Sequence, residues 1–551
     1  MSLPRRLAAR ACAALGFGAV VTLLATVGVQ GTAATTGPSL AVNGLDGYTP
    51  ANSNLVHTIP EAIYGINWAS PHLRSVLKVP LNRWGGNETS LYDYKTNAFN
   101  NGNDWYFENQ IGNDTNHQVA AWVSSNKSTG TPSLVTVPMM GWVANANKPQ
   151  ACGFSIKKYG SQQSNDSQWR PDCGNGVRTN GQRITGNDPT DIATQVTPAT
   201  QAGAMVGVLK SQGVHLYELD NEPGLWHDTH RAVHPQPLTH TEWWNKARPT
   251  AEAIKSADSS AKIVGPSDAG YCWWLYDAAD NCGPGANHAA TGDLAAWYVK
   301  QFKAYADAHS GKRLLDYLDE HYYPESPNGS PGIALAPSGD AATQARRLRS
   351  TRSLWDPNYV DESWIGTDVG AKPLRFIRQL REWAALYPGT KTAITEYNWG
   401  GFDTINGALA QADVLGIFGR EGLDLATLWN YDNSIDGTWG EWAFRVYRNF
   451  DGNGARFGQW GVPAASSDQG LLSVYASKGT SALTVVVINK TKGALTSYLK
   501  LYNFPHTSAA RTFTLGPTKR AITETSTAVG KYGLSRTYPA QSVTLLLIKH
   551  S

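Results

Sequence analysis

Cysteine and methionine are scarce in this 551-residue chain, at five and four residues. Charge is thin as well: Asp, Glu, Lys and Arg make up 17% of the sequence, with 47 basic side chains against 44 acidic ones. That balance leaves no electrostatic case for a nucleic acid or an anionic membrane as partner, and points to an uncharged one. Beyond the first thirty or so positions no apolar run is long enough to span a bilayer. Internal repeats and Pro/Thr-rich linkers are missing too, which excludes a solenoid and a linker-tethered module. Aromatic residues are present in quantity, with 20 Trp and 24 Tyr. Several, including Trp105, Trp142, Trp226 and Trp273, fall in Gly/Asn-rich segments, where a flat ring can stack on an uncharged ligand as well as pack.

The first residues carry Arg5, Arg6 and Arg10, then an apolar stretch from Ala13 to Val29 and small residues around Thr32 to Ala34. This order predicts a secretory signal over residues 1–34, cleaved near Ala34, and hence an extracellular protein with no membrane contact after cleavage. A transmembrane anchor is the rival, weakened by Gly16, Gly18 and Gly28 within the stretch. Removing the signal takes three arginines, which makes the mature chain neutral, and takes Cys12. Cys152, Cys173, Cys272 and Cys282 remain as disulfide candidates. Local pairing of the first two and of the last two is the simplest of three connectivities.

The remaining ~517 residues exceed one ordinary core and suit a barrel plus a smaller domain. Short apolar runs at Ile63 to Asn67, Val79 to Arg83, Leu134 to Pro138, Val214 to Leu219, Lys262 to Gly265, Leu315 to His321, Thr392 to Thr395 and Leu425 to Trp429 read as strands. Helical patterns at Asp191 to Ser211, Glu242 to Ser256, Gly292 to Ala308, Pro373 to Tyr387 and Gly407 to Arg420 fall in the gaps. Alternation of this kind predicts an α/β fold, a TIM-like (β/α)8 barrel over residues 61–440. Gly141 to Asp191 reads as an extended loop on the binding face. From about Gly440, turn-separated β-branched runs such as Leu483 to Ile488, Tyr498 to Leu501 and Val543 to Ile548 predict a C-terminal antiparallel β-sandwich over 441–551. The N-terminal segment 35–60, with Ser39 to Asn43, is placed to add an edge strand to it.

Two motifs carry chemistry: Tyr217-Glu218-Leu219-Asp220-Asn221-Glu222-Pro223 and Ala393-Ile394-Thr395-Glu396-Tyr397-Asn398-Trp399. Each sets a glutamate where a strand ends, the position from which parallel barrels project catalytic groups. Two facing carboxylates are the usual apparatus for cleaving a glycosidic bond. Glu222 is the candidate acid, and Asn221 beside it a partner for a sugar hydroxyl. Glu396 is the candidate nucleophile and needs donors to hold it ionised with a low pKa. Tyr323, in the run His321-Tyr322-Tyr323-Pro324, is a candidate donor, with His321 beside it. Trp399 and Trp429 are candidate sugar-stacking rings. Arg83, Trp84 and Asn87 in Leu81-Asn82-Arg83-Trp84-Gly85-Gly86-Asn87 offer donors and a ring as a subsite wall.

Taken together, LNRWGGNETSLYDY (Leu81 to Tyr94), ELDNEP (Glu218 to Pro223), DEHYYP (Asp319 to Pro324), ITEYNW (Ile394 to Trp399) and YRNFDGNGARFG (Tyr447 to Gly458) resemble glycoside hydrolase family 44. The resemblance implies a TIM-like barrel with a β-sandwich, and retaining endo-hydrolysis of β-1,4-glucans including xyloglucan. It assigns acid/base work to the NEP glutamate, here Glu222, and the nucleophile to the TEYN glutamate, here Glu396. It leaves room for a structural calcium with unassigned ligands. Asp93-Tyr94 departs from the family's usual Asn-Trp, which bears on a local subsite.

The expectation is thus a secreted, monomeric endo-β-1,4-glucanase acting on β-glucan or xyloglucan without a required cofactor or catalytic metal. A mannan- or xylan-directed hydrolase with the same pair, or a non-catalytic glycan binder, are the alternatives. His227, His230, His234 and His240 fit no common zinc spacing, and Asp451-Gly452-Asn453-Gly454 fails as an EF-hand because Ala455 occupies its fifth position.

Overall fold

The computed structural model describes residues 34–430 and 435–551. The expected signal segment, Cys12 included, lies outside them apart from Ala34. No helix among the described residues is long and apolar enough to cross a membrane.

Eight parallel strands close a barrel in chain order: Gly65–Asn67, Asn82–Trp84, Ser133–Val137, Leu216–Leu219, Lys262–Asp268, Tyr317–Glu320, Lys391–Tyr397 and Leu425–Leu428. All eight fall on the expected runs. Their two-residue alternation sorts side chains radially. Inward, Leu81, Leu134, Leu216, Val264, Tyr317, Ala393 and Leu425 form an apolar layer at the N-terminal end. Two residues further along, on six of these seven strands, stand Arg83, Thr136, Glu218, Asp319, Thr395 and Thr427, a buried polar layer directly beneath the mouth. Outward, Val135, Tyr217, Ile263, Leu318 and Ile394 pack under the helices.

The helices obey local rules. His240–Ala257 starts at an N-cap in which the Thr239 side chain accepts from the Glu242 amide, and Ile405–Glu421 ends on Gly422 in the left-handed region at φ 72°. The expected helix from Asp191 begins only at Pro198, because Ala193–Gln195 instead pairs with Trp142–Ala144. Sequence patterning did not anticipate the helix Trp439–Arg448, which carries the chain past the expected domain boundary at residue 440. The Gly141–Asp191 segment is folded, with Asn165–Asp166 paired to Arg170–Gly174 and a Cys152–Cys173 disulfide. Cys272 pairs with Cys282.

The C-terminal residues build a sandwich. Its seven-stranded sheet is antiparallel throughout and runs from Ile522–Ala528 to His57–Thr58. The five-stranded sheet is mixed, a departure from the antiparallel expectation, because Leu40–Asn43 enters parallel to Leu495–Tyr502. That strand is interior, with Ala464–Ser466 antiparallel on its other side. The strand Ala482–Asn489 is buried on both faces: Leu483, Val485 and Val487 meet the five-stranded sheet, while Val486 and Ile488 join the barrel's core. Continuous β-branched sequence is the signature of such a two-sided strand.

Candidate active site

The site stands on the polar layer. Arg83, with 0% of its surface exposed, donates from Nε to Glu218 Oε2 (2.7 Å), from Nη1 to Asn67 Oδ1 (2.9 Å) and Glu396 Oε1 (2.8 Å), and from Nη2 to Asn221 Oδ1 (2.8 Å). One guanidinium thus ties the first, second, fourth and seventh strands together, a use its planar fork suits. Gly85 is required beside it, since a Cβ there would sit 2.3 Å from the Arg83 Cζ.

Glu396 reaches the interior through an irregularity. Ile394 faces outward and Thr395 inward, so strict alternation would send Glu396 outward. The register with Leu425–Leu428 shifts between Ile394 and Tyr397, and both Thr395 and Glu396 turn in. Its second oxygen accepts from the Tyr323 hydroxyl at 2.8 Å. Burial nonetheless lifts its pKa above the ordinary carboxylate range, against the Arg83 guanidinium, with the Glu222 charge adding to the rise. Burial thus works against the low pKa expected for Glu396, while Arg83 and Tyr323 supply the donors that expectation called for.

Glu222 follows the fourth strand in a left-handed conformation, φ 44° and ψ 56°, an unusual state for a non-glycine residue. Its amide donates to the Ser267 carbonyl (3.0 Å), and the Gly224 amide lies 3.2 Å from Asp268 Oδ1, so the end of the fifth strand fixes the turn. Burial pushes the Glu222 pKa up to about 7, with Arg83 opposing and the charges of Asp104 and Glu218 adding to it. His321 Nδ1 lies 2.9 Å from Glu222 Oε1, and its Nε2 lies 3.2 Å from Thr395 Oγ1. Burial lowers the His321 pKa, which keeps the ring neutral. Ligating atoms of Glu222, His321 and Glu396 all lie within 4.8 Å of one another.

Of the expected contacts, Tyr323 and His321 stand on the glutamates, though His321 is wholly buried and serves Glu222 from behind. Arg83, expected in a subsite wall, is instead an internal clamp, and Asn221, expected to meet a sugar hydroxyl, is 2% exposed with its Oδ1 accepting from Arg83. Trp84 is corrected to a core residue: it is 1% exposed, packs on Tyr92 at 4.6 Å and donates to the Asn116 carbonyl. Trp399 is likewise core, stacked on Tyr322 at 5.3 Å and bonded to Ser350. Strand alternation turns Trp84 outward, and Trp399, two residues past its strand, is held in the core by Tyr322 and Ser350. Asn87 sits on the rim, donating to Asp104 at 2.9 Å and accepting from Asn221 at 3.3 Å. Trp429 is half-buried with its ring over Gly86, where a Cβ would meet it at 2.6 Å.

Asn67, Glu218, Asp319, Thr395 and Asp104 were not singled out from sequence. Glu218 and Asp319 lay within the quoted runs, and counting inward positions along each strand would have found them. Burial raises Glu218, but Arg83, His321 and Thr136 outweigh it and hold it below the usual range. Asp319 is pushed up to about 6 by burial and the Glu218 charge. Calcium prefers six to eight oxygen ligands. Among the described residues the clustered donors are Glu218, Asp319 and His321, and Glu222, His321 and Glu396. Each group includes an imidazole and is tied up with Arg83 or Thr395, so neither fits a structural calcium.

A parallel barrel whose fourth and seventh strands present two close glutamates at their C-terminal ends belongs to the class of barrel glycosidases. A model of glycoside hydrolase family 44 matches residues 98–326. The chain is 38% identical to the structure of CelM2, a bifunctional glucanase-xylanase from a metagenome library, with a TM-score of 0.86 over 94% of this chain and 100% of that one. It is 25% identical to a family 44 xyloglucanase from Paenibacillus polymyxa, with a TM-score of 0.77 over 94% and 100%. It is also 35% identical over 435 residues to Endoglucanase A of Paenibacillus lautus, covering 74% of this chain but only 59% of that protein. The chain belongs to glycoside hydrolase family 44.

Proposed function

We propose that this protein hydrolyses β-1,4-linked glucan chains, xyloglucan included, by double displacement, with Glu222 as acid/base and Glu396 as nucleophile. The observation that carries the reading is the approach of the two carboxyl groups to within 4.8 Å, with Glu222 on the His321 imidazole and Glu396 on Arg83 and Tyr323. Retaining pairs stand ~5 to 5.5 Å apart, whereas inverting pairs leave ~6.5 to 9.5 Å for a water.

The hydrogen bonds around His321 suit the first step. The Thr395 hydroxyl lies 2.8 Å from Glu218 and 2.5 Å from Asp319, so its proton goes to a carboxylate. Nε2 of the neutral imidazole then donates to Thr395, and Nδ1 accepts from protonated Glu222. The acid is thereby held with its proton until it passes to the glycosidic oxygen. Glu396 attacks the anomeric carbon, aimed by Tyr323 and Arg83. Once Glu396 is esterified its charge no longer opposes ionisation of Glu222, which becomes the base that activates water.

Glu222→Gln and Glu396→Gln are expected to cut kcat on soluble β-glucan by about 10²-fold or more with unchanged thermal midpoints, and NMR of early wild-type products is expected to show the β-anomer. Wild-type turnover in both variants, or an inverted product, overturns the reading. Xylan is the second reading, favoured by the dual activity in the name of CelM2. Rates on glucan, xyloglucan, xylan and mannan separate the two.

A further inference from the structure

Two exposed indoles stand together beside the cleft. Trp169, 63% exposed, and Trp105, 38% exposed, have ring centroids 5.3 Å apart and planes inclined at 53°. With Glu108, Gln110, Gln150 and Arg170 they line a cavity of about 450 Å³. The two rings come from different loops. Trp105 follows the second barrel strand, and Trp169 lies in the loop stapled by Cys152–Cys173 after the third. Both loops therefore rise from the C-terminal ends of strands, the side on which Glu222 and Glu396 open.

The arrangement is built, not incidental. Asp166 accepts from the amides of Gln168, Trp169 and Arg170, which fixes the turn that carries the second ring. Arg170 donates to the Asn109 carbonyl (2.7 Å) and to Gln110 Oε1 (3.0 Å), with its Nε 3.3 Å from Glu108 Oε2. Glu108 is buried in the wall. Aromatic faces flanked by amides and a guanidinium are the composition a sugar ring asks for: its C–H face stacks on indole and its hydroxyls need donors and acceptors. A short run of contacts ties the pocket to the cleft rim. Trp105 adjoins Asp104, Asp104 accepts from Asn87, and Asn87 accepts from Asn221 next to Glu222.

We infer that Trp105 and Trp169 form an outlying subsite that binds a glucosyl unit of the same β-1,4-linked chain, some distance from the bond being cut. The inference rests on the proposed glycosidase function and deepens it. A ring used only by long chains contributes to binding without touching the transition state, so its removal shows in KM and not in kcat.

The experiment compares wild type, Trp169→Ala and Trp169→Phe on soluble β-1,4-glucan polymer and on p-nitrophenyl cellobioside, which spans only the units next to the glutamates. For Trp169→Ala the polymer KM is expected to rise about fivefold with kcat unchanged, the short substrate to be unaffected, and phenylalanine to restore most of the loss. An unchanged polymer KM, or an equal rise on both substrates, overturns the subsite. Failure of the parent reading is distinct, since wild type would then cleave neither compound.

Discussion

At the scale of single residues, the site separates two chemically identical side chains by what surrounds them. Glu222 has a neutral imidazole and a dry turn, whereas Glu396 has a guanidinium and a phenol. With Glu222 pushed up to about 7, the acid is protonated below that pH and loses its proton above it. The pH profile of kcat/KM is expected to fall on the alkaline side from near pH 7, by up to tenfold per pH unit. The charge of Asp104 contributes to that elevation. Asp104→Asn is therefore expected to move the alkaline limb to lower pH, and a limb that stays put or moves up contradicts Glu222 as its origin. Sequence made both glutamates legible because each follows an apolar run and precedes a turn or an aromatic cluster. It hid their partners. Glu218 and Asp319 are anonymous acids until the barrel closes, and Trp84 and Trp399 look like sugar-binding rings until their packing in the core is seen.

At the scale of elements, the eight barrel strands were legible because each is a compact apolar run, and the glutamate positions followed from their ends. The inward turn of Glu396 was not, since a one-residue register shift depends on the neighbouring strand and leaves no mark in local composition. The helix Trp439–Arg448 was missed for a similar reason: its buried face is set by the neighbouring Ile405–Glu421 helix, and Gly440 inside it reads as a turn. The loop after the second strand offers a test of geometry over composition. Gly86 has φ +102°, and a Cβ there would meet the Trp429 ring at 2.6 Å. Gly86→Ala is expected to destabilise the loop by about 1 to 3 kcal/mol and to raise KM for short and long substrates alike, because Trp429 and Asn221 both shift. Steady-state kinetics on both substrates check this. An effect confined to polymer would place Trp429 outside the central cleft.

At the scale of the whole molecule, the barrel and the sandwich share one interior. Asp413, on the barrel helix Ile405–Glu421, accepts from Ser473 (2.7 Å), Tyr475 (2.8 Å) and Lys490 (2.8 Å) of the sandwich and from Thr351 (2.7 Å) of the barrel. Burial raises its pKa, but Lys490 and these bonds outweigh that and hold it below the usual range. Its stabilising contribution is therefore present above the unfolded aspartate pKa near 4 and is lost as pH falls through the lower folded value. Asp413→Ala strands the Lys490 ammonium and is expected to cost about 3 to 5 kcal/mol. Calorimetry is expected to show one transition moving to lower temperature. A second, separable transition would mean that the sandwich folds alone. The interior position of Leu40–Asn43 bears on how the chain comes to fold as it is made. This strand leaves the ribosome early, but both its neighbours, Ala464–Ser466 and Leu495–Tyr502, arrive more than 400 residues later. This interior strand of the sandwich must therefore wait, unpaired, through synthesis of the entire barrel, which delays final assembly and leaves the nascent chain open to chaperones until its C-terminal strands emerge.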